Sequence, residues 1–409
     1  MSNKAMQVDR TRFLAEGYLV LRGVIPPAEL EGLRQSYETL VEHQRAISAR
    51  ERQADEPPGG QWEMTAQPRL ILSQMDGAID GETIKAVEIW LHDHIYGVSA
   101  DLLGVEDPGV VEMMMLCNPS RDWGTGGHNG WHRDVYPPFG APIQGYTDDI
   151  IENGPRYVQW NIPLYDDDVL WVLPGSHRRL NTVVEDRHIR RDPRTPMPGG
   201  VQTRLEAGDG VVYITPLLHW GSRYDAVLRR TLHGGFAHWA VRRDVPYDEL
   251  LSPLTRAAFA RWNARSERMM EFTEAALRAA AQGDAGAYRA ALEGLHPGRG
   301  PKGRALTTVF LCRTAQRVYA LNWSDDHTVD DARCQAAMVH PLTLDWGPSF
   351  AERFTAEESR SARTRFAPVD AGLTAAEEQA PPGYEDRPSR YYFNGMPKGF
   401  DIDEFLVGW

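Results

Sequence analysis

The chain reads as an antiparallel β sandwich or barrel, preceded by helices and followed by a long helical extension. Three observations carry that reading. Between about 110 and 240, short apolar runs alternate with clusters of Gly, Pro and Asp, the punctuation of short strands joined by turns. Before them, Leu30, Leu33, Tyr37 and Leu40 recur near one face of a helix that Pro26-Pro27 opens. After about 246 the β character fades, and an Ala-rich stretch over 253–294 carries Phe259, Trp262, Met269 and Phe272 at helical spacing.

Taken in order, residues 13–25 predict a helix end, a glycine turn and a short strand. The helix begun at Pro27 is expected to end near Ala46, and Pro57-Pro58-Gly59-Gly60 marks a loop. Helix resumes over 84–103 and stops at Gly104. It contains His92 and His94, whose spacing would turn them to different faces, which favours structural roles. Strands are expected over 110–117, 156–164, 170–173, 210–215 and 230–239, with an Arg- and Pro-rich loop over 181–204. Gly283-Asp284 interrupts the Ala-rich helix. The tail from 340 onward ends in Tyr391-Tyr392-Phe393 and Phe405-Leu406-Val407-Gly408-Trp409, aromatics dense enough to require packing on something.

With 409 residues, 42% of them hydrophobic, the chain suits one catalytic domain (10–245) plus an extension (246–409), with two full domains as the alternative. A net charge of −13 argues against a nucleic-acid partner, which needs a basic footprint, and weakly against anionic membranes. No apolar run approaches the ~20 residues of a membrane helix, and Met1 to Arg12 is polar. Cys117, Cys312 and Cys334 form no CxxC spacing, so a reducing compartment, the cytoplasm, is expected.

The segment richest in chemistry is Gly127-His128-Asn129-Gly130-Trp131-His132-Arg133-Asp134. On a strand, residues two apart point to the same side, so His132 and Asp134 can meet one metal ion. A second, distant His would complete a set of two imidazoles and one carboxylate, which leaves three octahedral positions open and suits oxygen-activating iron(II). His219, after the turn Gly208-Asp209-Gly210, is the best candidate; Arg230, eleven residues on, could clamp a dicarboxylate through a charge-assisted fork. The bland alternative is a structural His–Asp pair on an ordinary strand. Arg229 should point away from Arg230, into a surface ion pair, and His177 is read as a structural turn residue. His128 is either a contact near the site or a plain loop residue.

This ordered series resembles the phytanoyl-CoA dioxygenase family of 2-oxoglutarate oxygenases. The resemblance covers residues 10–245. It rests on Gly17-Tyr18-Leu19-Val20-Leu21-Arg22-Gly23, Leu102-Leu103-Gly104, Met115-Leu116-Cys117-Asn118-Pro119, the His132/Asp134 motif, Leu173-Pro174-Gly175-Ser176-His177, Gly208-Asp209-Gly210 and His219 with Arg230. It implies a double-stranded β-helix (a cupin-like jelly roll) with helices buttressing one sheet. It also implies His132, Asp134 and His219 as iron ligands and Arg230 on the far carboxylate of 2-oxoglutarate. Met115, Arg133 and Ser222 fall at positions implying cosubstrate contact. The chain departs from the family pattern where Gly221 precedes Ser222, and where Asp166-Asp167-Asp168 replaces the common Asn-Gly.

The implied reaction consumes dioxygen and 2-oxoglutarate, releases succinate and carbon dioxide, and oxidises an unactivated C–H bond of a small molecule, such as a natural-product intermediate. Asp134 favours hydroxylation, desaturation or ring formation over chlorination, because related halogenases lack a carboxylate there. Two other classes stay open: a metal-dependent cupin enzyme without 2-oxoglutarate, and a non-catalytic ligand-binding barrel. The extension is expected to dock beside the barrel mouth, with a homodimer interface as the alternative.

Overall fold

The computed structural model describes residues 6–65, 67–75, 77–117, 130–135, 141–222, 228–323, 347–374 and 395–409. His128, Cys334 and the run 391–393 lie outside them. The chain divides into two compact units. One comprises Met1–Trp131, Arg156–Gly175 and Arg187–Asn263; the other comprises His132–Pro155, Ser176–Asp186 and Ala264–Trp409.

In the first unit, the helix Arg10–Glu16 starts where the Asp9 carboxylate accepts the Arg12 amide, and ends at Gly17, whose φ of 85° closes the turn on the Phe13 carbonyl. Strand β1 (Tyr18–Leu21) follows. The helix Pro27–Arg50 begins on proline, where no backbone donor is required, and buries Leu33, Tyr37, Leu40 and Val41. It continues past the expected end near Ala46. The single helix expected over 84–103 is broken into Lys85–Glu88, a 3-10 turn Ile89–Leu91 and Tyr96–Leu103. His92 sits extended between them, so helical spacing does not govern the two histidines. Their rings meet edge to face at 4.6 Å.

The remaining strands are β2 (Arg69–Ile71), β3 (Gly109–Cys117), β4 (Tyr157–Pro163), β5 (Leu170–Val172), β6 (Val201–Gln202), β7 (Gly210–Ile214), β8 (His219–Gly221) and β9 (Arg230–Ala237). They form a six-stranded sheet in the order β1-β7-β4-β9-β3-β2 and a three-stranded sheet β6-β5-β8, every pair antiparallel. The architecture is mixed helix and antiparallel sheet. The stretch 181–204, expected as loop, contains the helix Val183–Arg191 as well as β6. Its start is a capping box that the Arg and Pro content concealed. The Thr182 amide donates to the Glu185 carboxylate at 2.8 Å, and the Glu185 amide donates back to the Thr182 hydroxyl at 3.3 Å.

The two faces of the larger sheet differ in chemistry. One lies against helices: Trp160 donates to Ser99 Oγ at 2.9 Å, and Phe236 packs on Trp90 and Tyr96 at 6.2 and 5.7 Å. On the other, Val211 and Tyr213 share an apolar cluster with Leu170 and Val172 of the smaller sheet. That second face turns polar toward β4 and β9. Gln159 donates to the Tyr213 hydroxyl at 2.6 Å and meets His233 at 3.2 Å, while His233 contacts Asn161 at 2.5 Å. A polar patch on an inward sheet face suits the lining of a ligand chamber better than an apolar core, and this face is called the chamber side below.

The pairing of β3 with β9 shifts between Val110 and Glu112, opposite Phe236 and Gly235. Gly234 has φ of 151°, and a Cβ there would lie 2.0 Å from the Glu112 carbonyl oxygen. Gly234→Ala is therefore expected to lower unfolding free energy by about 1–3 kcal/mol, read from urea midpoints. An unchanged midpoint would show that the bulge yields at no cost.

The second unit is helical. The helix Pro301–Asn322 is buried along most of its length, with Leu306, Val309, Phe310 and Val318 in the core. Arg299 Nη1 donates to both Asp149 oxygens at 2.9 and 3.0 Å, tying the segment before this helix to the helix Ile143–Asn153. The terminal aromatics find partners within the extension itself. Trp409 packs on Tyr288 at 4.7 Å and Phe405 stacks on Phe366 at 6.0 Å. The first turns of the helix Pro253–Gln282 do dock on the β unit, where Trp262 faces Tyr96 at 6.4 Å.

Candidate metal centre

His132, Asp134 and His219 come together as the sequence spacing predicts. Their ligand atoms all lie within 4.8 Å of one another, with both histidines buried and Asp134 half-buried. His132 Nε2 stands 3.4 Å from Asp134 Oδ1. The reason differs from the one expected: His132 forms a lone bridge, and no named strand among the described residues contains it. His219 lies on β8, held by flanking Leu218 and Trp220, which pack with Trp131 in a separate apolar cluster. Its ring lies 5.1 Å from that of Tyr213.

His219 Nδ1 stands 2.9 Å from the Leu217 carbonyl oxygen. A carbonyl only accepts, so Nδ1 carries the proton and Nε2 keeps its lone pair for a metal ion. Two imidazole nitrogens and one carboxylate oxygen are donors that fit iron(II) and leave coordination positions free.

Arg133 stands between His132 and Asp134 in the chain. Its Nη1 donates to the Ser176 carbonyl at 2.7 Å, and Nε and Nη2 donate to Asn181 Oδ1 at 3.1 and 2.6 Å. Burial pulls its pKa below the usual guanidinium range. Asn181 in turn donates to Asp186 at 3.0 Å. Ser222 is buried, and its hydroxyl donates to the Val169 carbonyl at 2.9 Å.

Directly opposed residues of an antiparallel pair share a face, and successive residues alternate. Met115 opposes Leu232, and Cys117 opposes Arg230, on the helix-facing side; Thr231 and His233 take the chamber side. Arg230 Nε and Nη2 meet Glu38 Oε2 of the helix Pro27–Arg50 at 3.3 and 3.1 Å. Met115 and Arg230 therefore lie across the sheet from His233. Arg229, expected on the surface, is instead buried. Its Nε donates to Asp167 Oδ2 at 2.8 Å and its Nη1 to Gln67 at 3.0 Å. Thr231 Oγ1 donates to the same Asp167 oxygen at 3.3 Å, which puts Arg229 on the chamber side.

Sequence reading missed Gln159, Asn161, Tyr213 and His233. The available signal was polar residues at every second position, in Val158-Gln159-Trp160-Asn161-Ile162 and in Arg229-Arg230-Thr231-Leu232-His233.

Solved structures that match part of the chain include EctD from S. alaskensis, solved with 2-oxoglutarate and 5-hydroxyectoine. It is 16% identical, with a TM-score of 0.40 over 60% of this chain and 80% of that one. EvdO2 from Micromonospora carbonacea var. aurantiaca, complexed with 2-oxoglutarate, is 19% identical, with a TM-score of 0.38 over 57% of this chain and 92% of that one. HygX from Streptomyces hygroscopicus, with nickel and 2-oxoglutarate bound, is 16% identical, with a TM-score of 0.39 over 60% of this chain and 95% of that one. No curated protein matches the chain. The model of the phytanoyl-CoA dioxygenase family matches residues 13–224, more than half of the chain. The protein belongs to the phytanoyl-CoA dioxygenase family and is an iron(II)- and 2-oxoglutarate-dependent oxygenase.

Proposed function

We propose that the enzyme hydroxylates an unactivated C–H bond of a small molecule, with His132, Asp134 and His219 as its iron ligands. One observation carries this: two imidazoles and a carboxylate have their ligand atoms within 4.8 Å of one another. Bound iron and 2-oxoglutarate supply the oxidising power, with dioxygen consumed and succinate and carbon dioxide released. The chain's own residues supply position. The Leu217 carbonyl sets the His219 tautomer, and Asn181 with Ser176 anchors Arg133, which stiffens the segment bearing the other two ligands. A carboxylate at Asp134 favours hydroxylation over chlorination, because chloride would need that position.

For the far carboxylate of 2-oxoglutarate the favoured partner is Arg229, which shares the chamber side with Thr231 and His233. Arg230 is the second reading, supported by its spacing from His219. The two facing antiparallel sheets support a double-stranded β-helix for residues 10–245, with 246–409 as its extension. Among the described residues, no helix is long and apolar enough to cross a membrane. The acidic surface supports a cytoplasmic enzyme acting on a small molecule rather than on nucleic acid.

The test is turnover of small-molecule libraries under isotopically labelled dioxygen. One labelled oxygen should enter succinate and the other the product. A product that loses two hydrogens and gains no oxygen would overturn hydroxylation.

A further inference from the structure

The salt bridge on Arg229 adds something that the family resemblance does not contain. Asp167 occupies the acidic linker Asp166-Asp167-Asp168, where the common pattern has Asn-Gly. Its side chain and that of Arg229 are 7% and 5% exposed. Asp167 is firmly held: Oδ1 accepts the Val169 amide at 2.9 Å, and Oδ2 accepts both Arg229 Nε and Thr231 Oγ1. Among the described residues the Nη2 amino group of Arg229 makes no hydrogen bond, since its two bonds use Nε and Nη1. The guanidinium is thus fixed in place by Asp167 and Gln67, with one donor group left over and its charge already balanced.

We infer that Asp167 is a resident counter-ion that sets cosubstrate affinity and selectivity by neutralising Arg229. The inference rests on the reading of Arg229 as the carboxylate clamp. A dicarboxylate arriving at Nη2 meets a guanidinium whose positive charge is matched at 2.8 Å by a second carboxylate. At that range, in a site screened from water, like-charge repulsion removes much of the attraction. The pocket should therefore hold 2-oxoglutarate loosely and prefer it only weakly over a 2-oxo acid without the far carboxylate. The same pair keeps the buried guanidinium compensated while the pocket is empty, which a neutral residue would not do.

The experiment measures equilibrium binding by calorimetry and by thermal shift, with full-length protein, iron(II) and no oxygen. The ligands are 2-oxoglutarate and 2-oxopentanoate. Wild-type protein should prefer 2-oxoglutarate by less than about tenfold, and Asp167→Asn should tighten 2-oxoglutarate by about tenfold while leaving 2-oxopentanoate nearly unchanged. The amide loses one hydrogen bond whichever way it turns, so the ligand-free variant should melt lower and gain more from added 2-oxoglutarate than wild type. Simple structural damage would not tighten binding. If Asp167→Asn does not fold, the wild-type preference alone decides, and a preference above about 100-fold overturns the inference. Weaker binding of 2-oxoglutarate by Asp167→Asn, with Arg229→Ala also weakened, overturns it while the clamp stands. Unchanged 2-oxoglutarate binding in Arg229→Ala overturns the clamp itself.

Discussion

Asp134→Ala is expected to lose stoichiometric iron(II) binding and 2-oxoglutarate-dependent succinate formation by more than about 100-fold, the upper range seen when only an outer hydrogen-bond partner of a metal ligand is lost. His132→Ala and His219→Ala should behave alike. Each removes one of three donors whose close approach defines the site. With two protein donors left, the site would hold an iron(II) ion more weakly and in a less fixed position. The fold should survive in Asp134→Ala, because this side chain is half-buried and removal leaves a small void. Metal-free wild type and variant should melt within a few degrees of each other, which separates loss of the site from loss of structure. Wild-type-like succinate formation by Asp134→Ala would sink the assignment. In the two histidine variants the cavity is larger, so iron binding there is compared with the metal-free melting temperature of the same variant.

The candidate triad His132, Asp134 and His219 was legible in the sequence because few residue types bind iron and their order along the chain is distinctive. The strands β3, β4, β5, β7 and β9 were legible because each is a short apolar run bounded by turn residues. Two other features were not. The helix Val183–Arg191 starts with the pattern Thr182-Val183-Val184-Glu185, a valid capping signal, yet its outward valines leave little apolar periodicity and the surrounding arginines and prolines read as loop. The polar chamber was hidden because β4 is buried on both faces. Gln159 and Asn161 alternate with Val158, Trp160 and Ile162, and without knowing which face meets the helices, the polar ones look like an ordinary solvent side.

The facing of Arg229 and Arg230 was out of reach for a related reason. In a strand, a slip of one residue exchanges every side chain between faces, and spacing from His219 fixes position along the chain but not the side. Registers with β3 and β4 supply what was missing, since they put Leu232 with Met115 and His233 with Asn161.

Binding measurements on the two arginines should accordingly diverge. Losing a charge-assisted pair in a buried pocket costs roughly 2–5 kcal/mol, about 30- to 5,000-fold in affinity. That loss is expected for 2-oxoglutarate in Arg229→Ala. Part of it is repulsion by Asp167, left buried with no cation beside it, so 2-oxopentanoate should suffer much less. Arg229→Lys should recover only part of the affinity, because an ammonium cannot serve Asp167, Gln67 and a ligand from one rigid plane. Arg230→Ala removes the partner of Glu38 on the helix-facing side. Its expected effect is a lower melting temperature, with 2-oxoglutarate affinity changed far less than in Arg229→Ala. The reverse ranking, Arg230→Ala binding 2-oxoglutarate worse than Arg229→Ala with its melting temperature intact, would return the clamp to the residue that spacing alone selects. It would also mean that the polar chamber beside Tyr213 and His233 serves some purpose other than holding the cosubstrate.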